Sequence, residues 1–513
     1  SLRMLRGSAL DLFLPEPSSD EYLHLARRMG YARDEELTPV QKLRLDFDTH
    51  TAFVRAFVEE HFGREILPVP EVGNIADLIL SDALSREEAG KILARSGFKN
   101  AERALVNLRS LAGSGSSPVS FARLAVLAAD FLKAQPDPDM ALNNWERFSG
   151  ALEDPEEHFR LLLSQPKRLD ILLKIFAGSQ FLSDSLIRDP EFFEWATKPE
   201  HLHTVRRRDQ VEAVFKPVSP ATVPVESWRD DLRRFKRREI LRIGIRDICL
   251  DAPIEEVMEE LSNLAEALLQ VELERLWELL GAGDRGEAFC VIGFGKLGGG
   301  ELNYSSDIDL LAISADPLDE SREELFKEVM SSLRRDLSTH TQEGAAYRVD
   351  LRLRPFGRSG ELVSSVASLL RYYRRQAAVW ELQALLKARP VAGNRRVGET
   401  FLCECRSLLH QPLSPDAISA SLEQMRKAAK GRLSQGIEGG RNIKLGSGGI
   451  RDVEFLVQGL QLIHAGEAQG VRGGRDLLSG NTLTALTALR ERGILSVSEA
   501  ENLRRDYLFL RRI

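Results

Sequence analysis

The residues best placed to do chemistry lie in the run Val291-Ile292-Gly293-Phe294-Gly295-Lys296-Leu297-Gly298-Gly299-Gly300-Glu301-Leu302-Asn303-Tyr304-Ser305-Ser306-Asp307-Ile308-Asp309-Leu310. Asp307 and Asp309 are two apart, so on a strand they share a face. Two carboxylates held side by side repel unless a cation sits between them. Oxygen ligands of this kind suit Mg²⁺, which is usually bound by one or two carboxylates plus substrate phosphates. The glycines before them, Gly298 and Gly299 included, allow close backbone approach to a ligand and a nest of N–H groups for an anion, with Ser305 and Ser306 following. A third carboxylate comes from Tyr347-Arg348-Val349-Asp350-Leu351-Arg352-Leu353-Arg354-Pro355, which alternates strictly. A strand here, lying beside the Asp-x-Asp strand, would let Asp350 complete a three-carboxylate metal site. Arg348, Arg352 and Arg354 would share its face as forks for phosphate oxygens. Each motif alone also fits a strand with a solvated charged face; their combination points to catalysis.

The elements that must position these residues are readable from periodicity. The runs Phe289 to Ile292 and Ile308 to Ile313 read as two strands around the glycine-rich bend. Glu320 to Leu337 reads as an amphipathic helix with Leu325, Val329, Met330, Leu333 and Leu337 inward, separating the two acidic strands. Upstream, Asp251-Ala252-Pro253 starts a long helix, with Asp251 as its cap, Pro253 in its first turn and Glu255 and Glu256 at its positive end. Val257, Leu261, Leu264, Leu268 and Val271 form its buried stripe. Residues 226–248 are basic, with Arg229, Arg233, Arg234, Lys236, Arg237, Arg238, Arg242 and Arg246. Leu232, Phe235, Ile240 and Ile243 thread that run at helical spacing, so a solvated helix face is expected, with phosphate binding as the alternative. Leu369 to Lys387 reads as one or two helices, whose Tyr372, Tyr373 and Trp380 are expected in the core rather than as an adenine platform. Lys444 and the glycine loop Gly446-Ser447-Gly448-Gly449 precede a helix from Ile450 to His464, with Val453, Leu456, Val457, Leu460 and Ile463 inward. This is either a phosphate site at a helix N-terminus or an ordinary loop-to-helix connection.

Residues 1–63 carry two helices, Tyr22 to Tyr31 and Val40 to Phe62, and Pro68-Val69-Pro70 reads as a linker. Residues 73–135 are short helices broken at Gly113 to Pro118, and 138–200 are denser packed helices. His158, His201 and His203 lack ligand spacing and are expected at the surface or at caps. The chain of 513 residues is 43% hydrophobic and 29% charged, enough for about three domains. Its formal net charge of −7 argues against a general nucleic-acid binder. The four cysteines, Cys249, Cys290, Cys403 and Cys405, lack zinc-finger spacing and are expected to be reduced thiols of a cytoplasmic protein. Signal-peptide and membrane-spanning patterns are not seen, and both ends read as cut from something longer.

Taken together, these residues resemble the nucleotidyltransferase module of the glutamine synthetase adenylyltransferase/adenylyl-removing enzymes. The likeness runs on through Arg352-Leu353-Arg354-Pro355-Phe356-Gly357, Trp380-Glu381, Leu386-Lys387-Ala388-Arg389, Lys444-Leu445-Gly446-Ser447-Gly448-Gly449-Ile450 and Tyr507-Leu508-Phe509-Leu510-Arg511. The resemblance implies an α+β, mostly helical fold, with a polymerase-β-like nucleotidyltransferase domain between helical domains. Its divisions would be a module tail at 1–67, a helical domain at 68–284, the catalytic domain at 285–395 and a truncated helical bundle at 396–513. It implies that Asp307, Asp309 and Asp350 are catalytic and bind Mg²⁺. Gly298, Gly299, Ser305, Ser306, Arg352, Arg354, Lys387 and Lys444 would hold nucleotide (ATP or ADP) and phosphate. Glutamine synthetase would be the protein partner, together with a nitrogen-signalling regulatory protein, and neither membrane nor nucleic acid is expected. Asn303-Tyr304-Ser305-Ser306, Leu351 to Gly357 and Lys444 to Arg451 are similar to the type that removes AMP with phosphate and releases ADP. Leu382-Gln383-Ala384-Leu385 and the tail-like residues 1–63 are similar to the type that transfers AMP from ATP. The expectation is removal, with transfer as the alternative and a catalytically silent docking module as the reading from another class.

Overall fold

A computed structural model of the chain describes residues 2, 13–34, 36–62, 73–81, 84–113, 118–215, 223–281, 283–315, 319–410, 414–433, 442–468 and 476–513. The expected linker at Pro68-Val69-Pro70 and the break at 114–117 lie outside these residues. The chain divides into two compact units, one of residues 1–203 with 244–251 and one of 204–243 with 252–513.

Among its described residues the first unit is helical, with Asp20–Arg28, Pro39–Phe62 and Pro118–Lys133 followed by the packed set Pro138–Ser149, Pro155–Ser164, Pro166–Gly178 and Gln180–Arg188. Asp137 and Asp154 cap two of these helices, each with proline in the first turn, where its missing N–H costs nothing. Phe121, Trp145 and Phe159 form one aromatic cluster, and Phe148, Phe176, Phe193 and His158 another. The second cluster corrects the surface reading of His158. Its ring is buried, and burial pushes its pKa down to about 4, leaving a neutral core histidine.

The second unit holds the sheet. Its long helices are α1 (Val225–Leu250, of which residues 225–243 belong here) and α2 (Ile254–Leu279). Then follow β1 (Phe289–Phe294), the short α3 (Gly295–Gly298), β2 (Ile308–Ser314), α4 (Glu320–Ser338), β3 (Val349–Asp350) and β4 (Val363–Ser365). The chain continues through α5 (Val366–Arg375), α6 (Val379–Leu385), β5 (Arg389–Gly393), α7 (Arg395–Leu409), α8 (Pro415–Leu433), α9 (Ile450–Ile463), α10 (Thr482–Glu491) and α11 (Val497–Arg512). The fold is thus α+β and mostly helical, with every named strand between Phe289 and Gly393. The sheet order is β3-β2-β1-β5, and β4 pairs β2 further along. β1 is antiparallel to β2 and β5, while β3 and β4 run parallel to β2. β1 and most of β2 are buried, as expected of strands covered on both faces. Phe289, Trp277 and Phe326 lock β1 to α2 and α4, with ring centroids 5.1 to 5.8 Å apart.

Several local expectations change. Asp251 does not cap α2; its φ is +51, Pro253 holds the cap position, and no side chain caps the helix. The apolar stripe of α2 is buried as read. In α4, Phe326 takes the buried position expected of Leu325. In α9, Leu456 is 44% exposed rather than inward. The alternating stretch 347–355 forms only the two-residue strand β3, because Leu351 is followed by turns, with Phe356 and Gly357 at φ +60 and +59.

The largest correction is α1. Arg234 apart, its basic residues are not a solvated face, and Arg233 and Arg242 are each 1% exposed. Arg233 donates to the carbonyls of Arg229, Gly344, Asp336 and Thr339 at 2.5 to 2.8 Å. Arg242 pairs with Glu239 at 2.9 Å and Glu260 at 2.5 Å. Arg229 pairs with Asp336, Arg237 with Glu343, and Lys236 donates to the carbonyl of Ala346. These cations tie α1 to α2, to α4 and to the segment that leads into β3. Among the described residues no helix is long and apolar enough to cross a membrane.

Candidate functional site

The site begins where β1 ends. Gly295 takes φ +57 to turn the chain into α3, and a Cβ there would sit 2.8 Å from Asp309 Oδ2. Only glycine lets the backbone pass that close to the carboxylate at this angle. β1 pairs Phe294 with Asp309, and β2 pairs Asp309 with Asp350. Asp350 therefore stands directly beside Asp309 across the sheet, with Asp307 just before β2. All three line one cleft of about 690 Å³. The loop before β2 is held tightly. Ser306 Oγ accepts from the Asn303 N–H at 3.2 Å, leaving its own proton free to donate, and Ser305 adopts φ +54.

The electrostatics follow from crowding. Burial, then the charges of Asp350 and Asp307, push Asp309 up to about 6. Asp350 is held below the usual carboxylate range, chiefly by its hydrogen bond from Arg352. Arg352 Nε donates to both Asp350 oxygens at 3.0 and 2.8 Å. Arg348 Nε donates to Asp307 Oδ1, and its terminal nitrogen donates to the Ser305 carbonyl at 3.3 Å. Two exposed guanidiniums thus neutralise two of the three carboxylates and leave Asp309 the strained one. Among the described residues no three or more His, Cys, Asp or Glu side chains, these three aspartates included, are gathered closely enough to hold a metal ion by themselves. The donor set is instead open, hard and acidic, with one carboxylate short of a counter-charge. That fits a cation such as Mg²⁺, which keeps waters and takes phosphate oxygens.

The other sequence-read residues divide. Ser305, Ser306, Arg352 and Lys444 line the cleft, as does the wall formed by Lys387. Lys387 is committed, however. It is buried, with its ammonium 2.7 Å from Glu301, 3.6 Å from Glu454 and 3.2 Å from Thr482 Oγ1. Gly298 and Gly299 do not reach the cleft. A Cβ on Gly298 would fall on the Lys387 carbonyl oxygen, and one on Gly299 would meet the Gly480 carbonyl at 2.8 Å. Close backbone packing accounts for glycine at both positions. Arg354 lines not this cleft but an adjoining pocket with Asp307, Asp350 and Arg352, and it donates to the carbonyls of Leu351, Arg358 and Gly360 at 2.9 to 3.1 Å, bracing the turn after β3.

Sequence reasoning missed several cleft residues. Arg451, Glu454, Phe455 and Gln458 of α9 line it, spaced at i, i+3, i+4 and i+7. That spacing marks a second face of the helix, opposite the apolar stripe, and was a usable signal. Trp380 lines the cleft at 40% exposure, so the expected core role fails for it. Tyr373 is in the core, and Tyr372 donates to Glu381 at 2.7 Å. Lys296 and Asn303 carried no periodic signal because both lie in the loop-rich segment between β1 and β2.

Residues 169–404 match the family described as glutamate-ammonia ligase adenylyltransferase, and residues 416–513 match GlnD PII-uridylyltransferase. The chain is 37% identical over 394 residues to the bifunctional glutamine synthetase adenylyltransferase/adenylyl-removing enzyme of Streptomyces avermitilis, covering 74% of this chain and 37% of that one. It is 36% identical over 437 residues to the protein of the same description from Streptomyces coelicolor (82% and 41%). Against that of Nitrosococcus oceani it is 34% identical over 391 residues (72% and 39%). The chain therefore spans about two fifths of the length of the curated relatives it matches.

Proposed function

Residues 169–404 belong to the glutamate-ammonia ligase adenylyltransferase family, and from that premise we propose that the cleft carries adenylyl chemistry on a tyrosine of glutamine synthetase. The observation that supports this best is the parallel pairing of Asp309 with Asp350, with Asp307 beside them in one cleft. Asp307, Asp309 and Asp350 would hold Mg²⁺, which when bound neutralises phosphoryl charge and lowers the cost of forming an attacking oxygen. Arg348 and Arg352 sit at the rim and exchange carboxylate for phosphate oxygens, the planar fork fitting either partner. Ser306 offers a hydroxyl proton and Lys444 a solvent-facing ammonium to the same anion.

In the removal direction, an orthophosphate oxygen attacks the phosphorus of the AMP–tyrosine ester. The bond to the tyrosine oxygen breaks, that oxygen takes the electron pair and a proton, and ADP leaves. Removal is the direction favoured by Asn303 to Ser306 and Lys444 to Arg451. Transfer from ATP keeps Leu382-Gln383-Ala384-Leu385 in its favour, part of which (Gln383 and Ala384) lines the cleft. The catalytic domain on this reading is 285–395, with helical segments before and after it in the chain. The likeness of residues 416–513 to a PII-uridylyltransferase supports a nitrogen-signalling protein as regulator.

Incubating the full chain with adenylylated glutamine synthetase and orthophosphate, and separately with the unmodified enzyme and ATP, tests the reading. ADP release in the first reaction alone is expected. AMP incorporation in the second would reverse the direction, and silence in both would leave the docking-module reading.

A further inference from the structure

Beneath the cleft, three cations and two carboxylates are packed together: Lys296, Lys387 and Arg511 against Glu301 and Glu454. Both carboxylates are spoken for. Glu301 pairs with Lys387 at 2.7 Å and accepts the Thr482 N–H at 2.8 Å. Glu454 lies 3.6 Å from Lys387 and 3.7 Å from Arg511. Arg511 reaches from α11 with a fully buried side chain to the Glu301 carbonyl, to Asn303 Oδ1 at 2.6 Å and to Tyr507 Oη at 2.9 Å. The run Tyr507 to Arg511 thereby clamps the start of the loop that carries Ser305, Ser306 and Asp307.

Lys296 is left over. Among the described residues no carboxylate lies within ion-pair distance of its ammonium, yet it is half-buried and lines the cleft. Burial, then the positive charges of Arg511, Lys444 and Lys387, push it down to about 8 despite a favourable pull from Glu454. An ammonium held in a protein wall without a counter-charge costs free energy that an arriving anion relieves. The cluster supplies one positive charge more than it consumes, on a residue that lines the same cleft as Asp309.

We propose that Lys296 is a binding residue for a phosphoryl group, taking a phosphate oxygen of the nucleotide or of orthophosphate. This rests on the adenylyl reading above for its ligand class. Lys387 and Arg511 do not share the role, because the two glutamates hold them; they keep Lys296 uncompensated.

Isothermal titration of the full chain with ADP, ATP, orthophosphate and adenosine tests this, comparing wild type with Lys296→Gln and Lys296→Arg. Lys296→Gln should weaken ADP by at least about tenfold, the loss of one charge-assisted hydrogen bond, and leave adenosine unchanged. Lys296→Arg should recover most of the affinity, and the melting temperature of Lys296→Gln should not fall. Weakening of ADP but not orthophosphate would assign the contact to a nucleotide phosphate; the reverse would assign it to the free anion. ADP and orthophosphate affinities of Lys296→Gln that both equal those of wild type overturn the assignment. A wild-type chain that binds none of the phosphorylated ligands overturns the adenylyl reading and the ligand with it. Should Lys296→Gln not fold, acylation of Lys296 in wild type with peptide mass spectrometry replaces it. Protection by ADP is expected, and labelling indifferent to ADP overturns the proposal.

Discussion

Two groups of arginines in this molecule look alike in the sequence and do opposite work. Those of α1 form a basic run that reads as a solvated face; those flanking Asp350 form a stripe that reads as a phosphate grip. In the structure the Arg242 side chain is 1% exposed, while those of Arg348 and Arg352 are 73% and 60% exposed. The acceptors decide the difference. Arg233 finds four backbone carbonyls, and Arg242 finds two glutamates, all in the interior. Arg348 and Arg352 find only the aspartates of the cleft and nearby backbone. A guanidinium surrounded by fixed acceptors is structure. One whose sole charged partner is a carboxylate at the cleft is available to exchange partners.

Substitutions can break or sharpen this contrast. The largest effect is expected from Arg242→Met, which leaves Glu260 buried without its cation and Glu239 with Arg206 alone. It should cost about 3–5 kcal/mol in urea unfolding, while activity per folded molecule changes little. A loss of turnover with unchanged stability would place Arg242 in the wrong group.

Asp309→Asn should move stability the other way. Its carboxyl titrates near 6 in the folded chain against an ordinary value of 3.8, so the ionised form is disfavoured by folding. The proton-bound form is the stabilised one: that contribution is full below about 3.8 and is lost as pH rises through about 6. Metal-free Asp309→Asn should therefore exceed wild type by up to about 3 kcal/mol above pH 6, with the gap closing toward pH 4. Turnover should vanish at every Mg²⁺ concentration. A melting-temperature series across pH 4–8 that shows no gap would contradict the burial and like-charge crowding that set Asp309 apart.

Arg352→Lys keeps the charge and loses the fork. It should raise the KM for phosphate or ATP by roughly tenfold, about 1.4 kcal/mol, with little change in melting temperature. Arg354→Lys is the smallest and separates neighbours that the sequence could not. It should lower stability by about 1 kcal/mol through the lost carbonyl hydrogen bonds and leave KM unchanged. If the two lysine variants behave alike, the division between structural and exchanging arginines fails at this turn.

What could be read in advance was local. The paired strands around the glycine bend, the Asp-x-Asp spacing, the buried stripe of α2 and the helix from Glu320 all announce themselves through periods of two or 3.6. What could not be read was supplied by distant chain. Arg229 meets Asp336 across 107 positions, and Arg511 meets Asn303 across 208. No window of sequence shows that α1 has acceptors waiting, or that Glu301 has already claimed Lys387. Nor does the sequence show that Gly298 and Gly299 stand against backbone carbonyls, since a close approach to a carbonyl and one to a phosphate demand the same residue. The carboxylate cleft was legible because its members lie on adjacent strands; the cationic wall under it was not, because its members come from α3, the loop before β5, α9 and α11.

The most direct test of the carboxylate site is a crystal structure of the full chain with ADP and Mn²⁺ in place of Mg²⁺, the metal located by anomalous scattering. A metal bound by both Asp309 and Asp350 at about 2.1 Å, within one water of Asp307, with Arg348 or Arg352 swung onto phosphate oxygens, is expected. Metal and nucleotide bound away from Asp309, with both arginines still closed on Asp307 and Asp350, would contradict it.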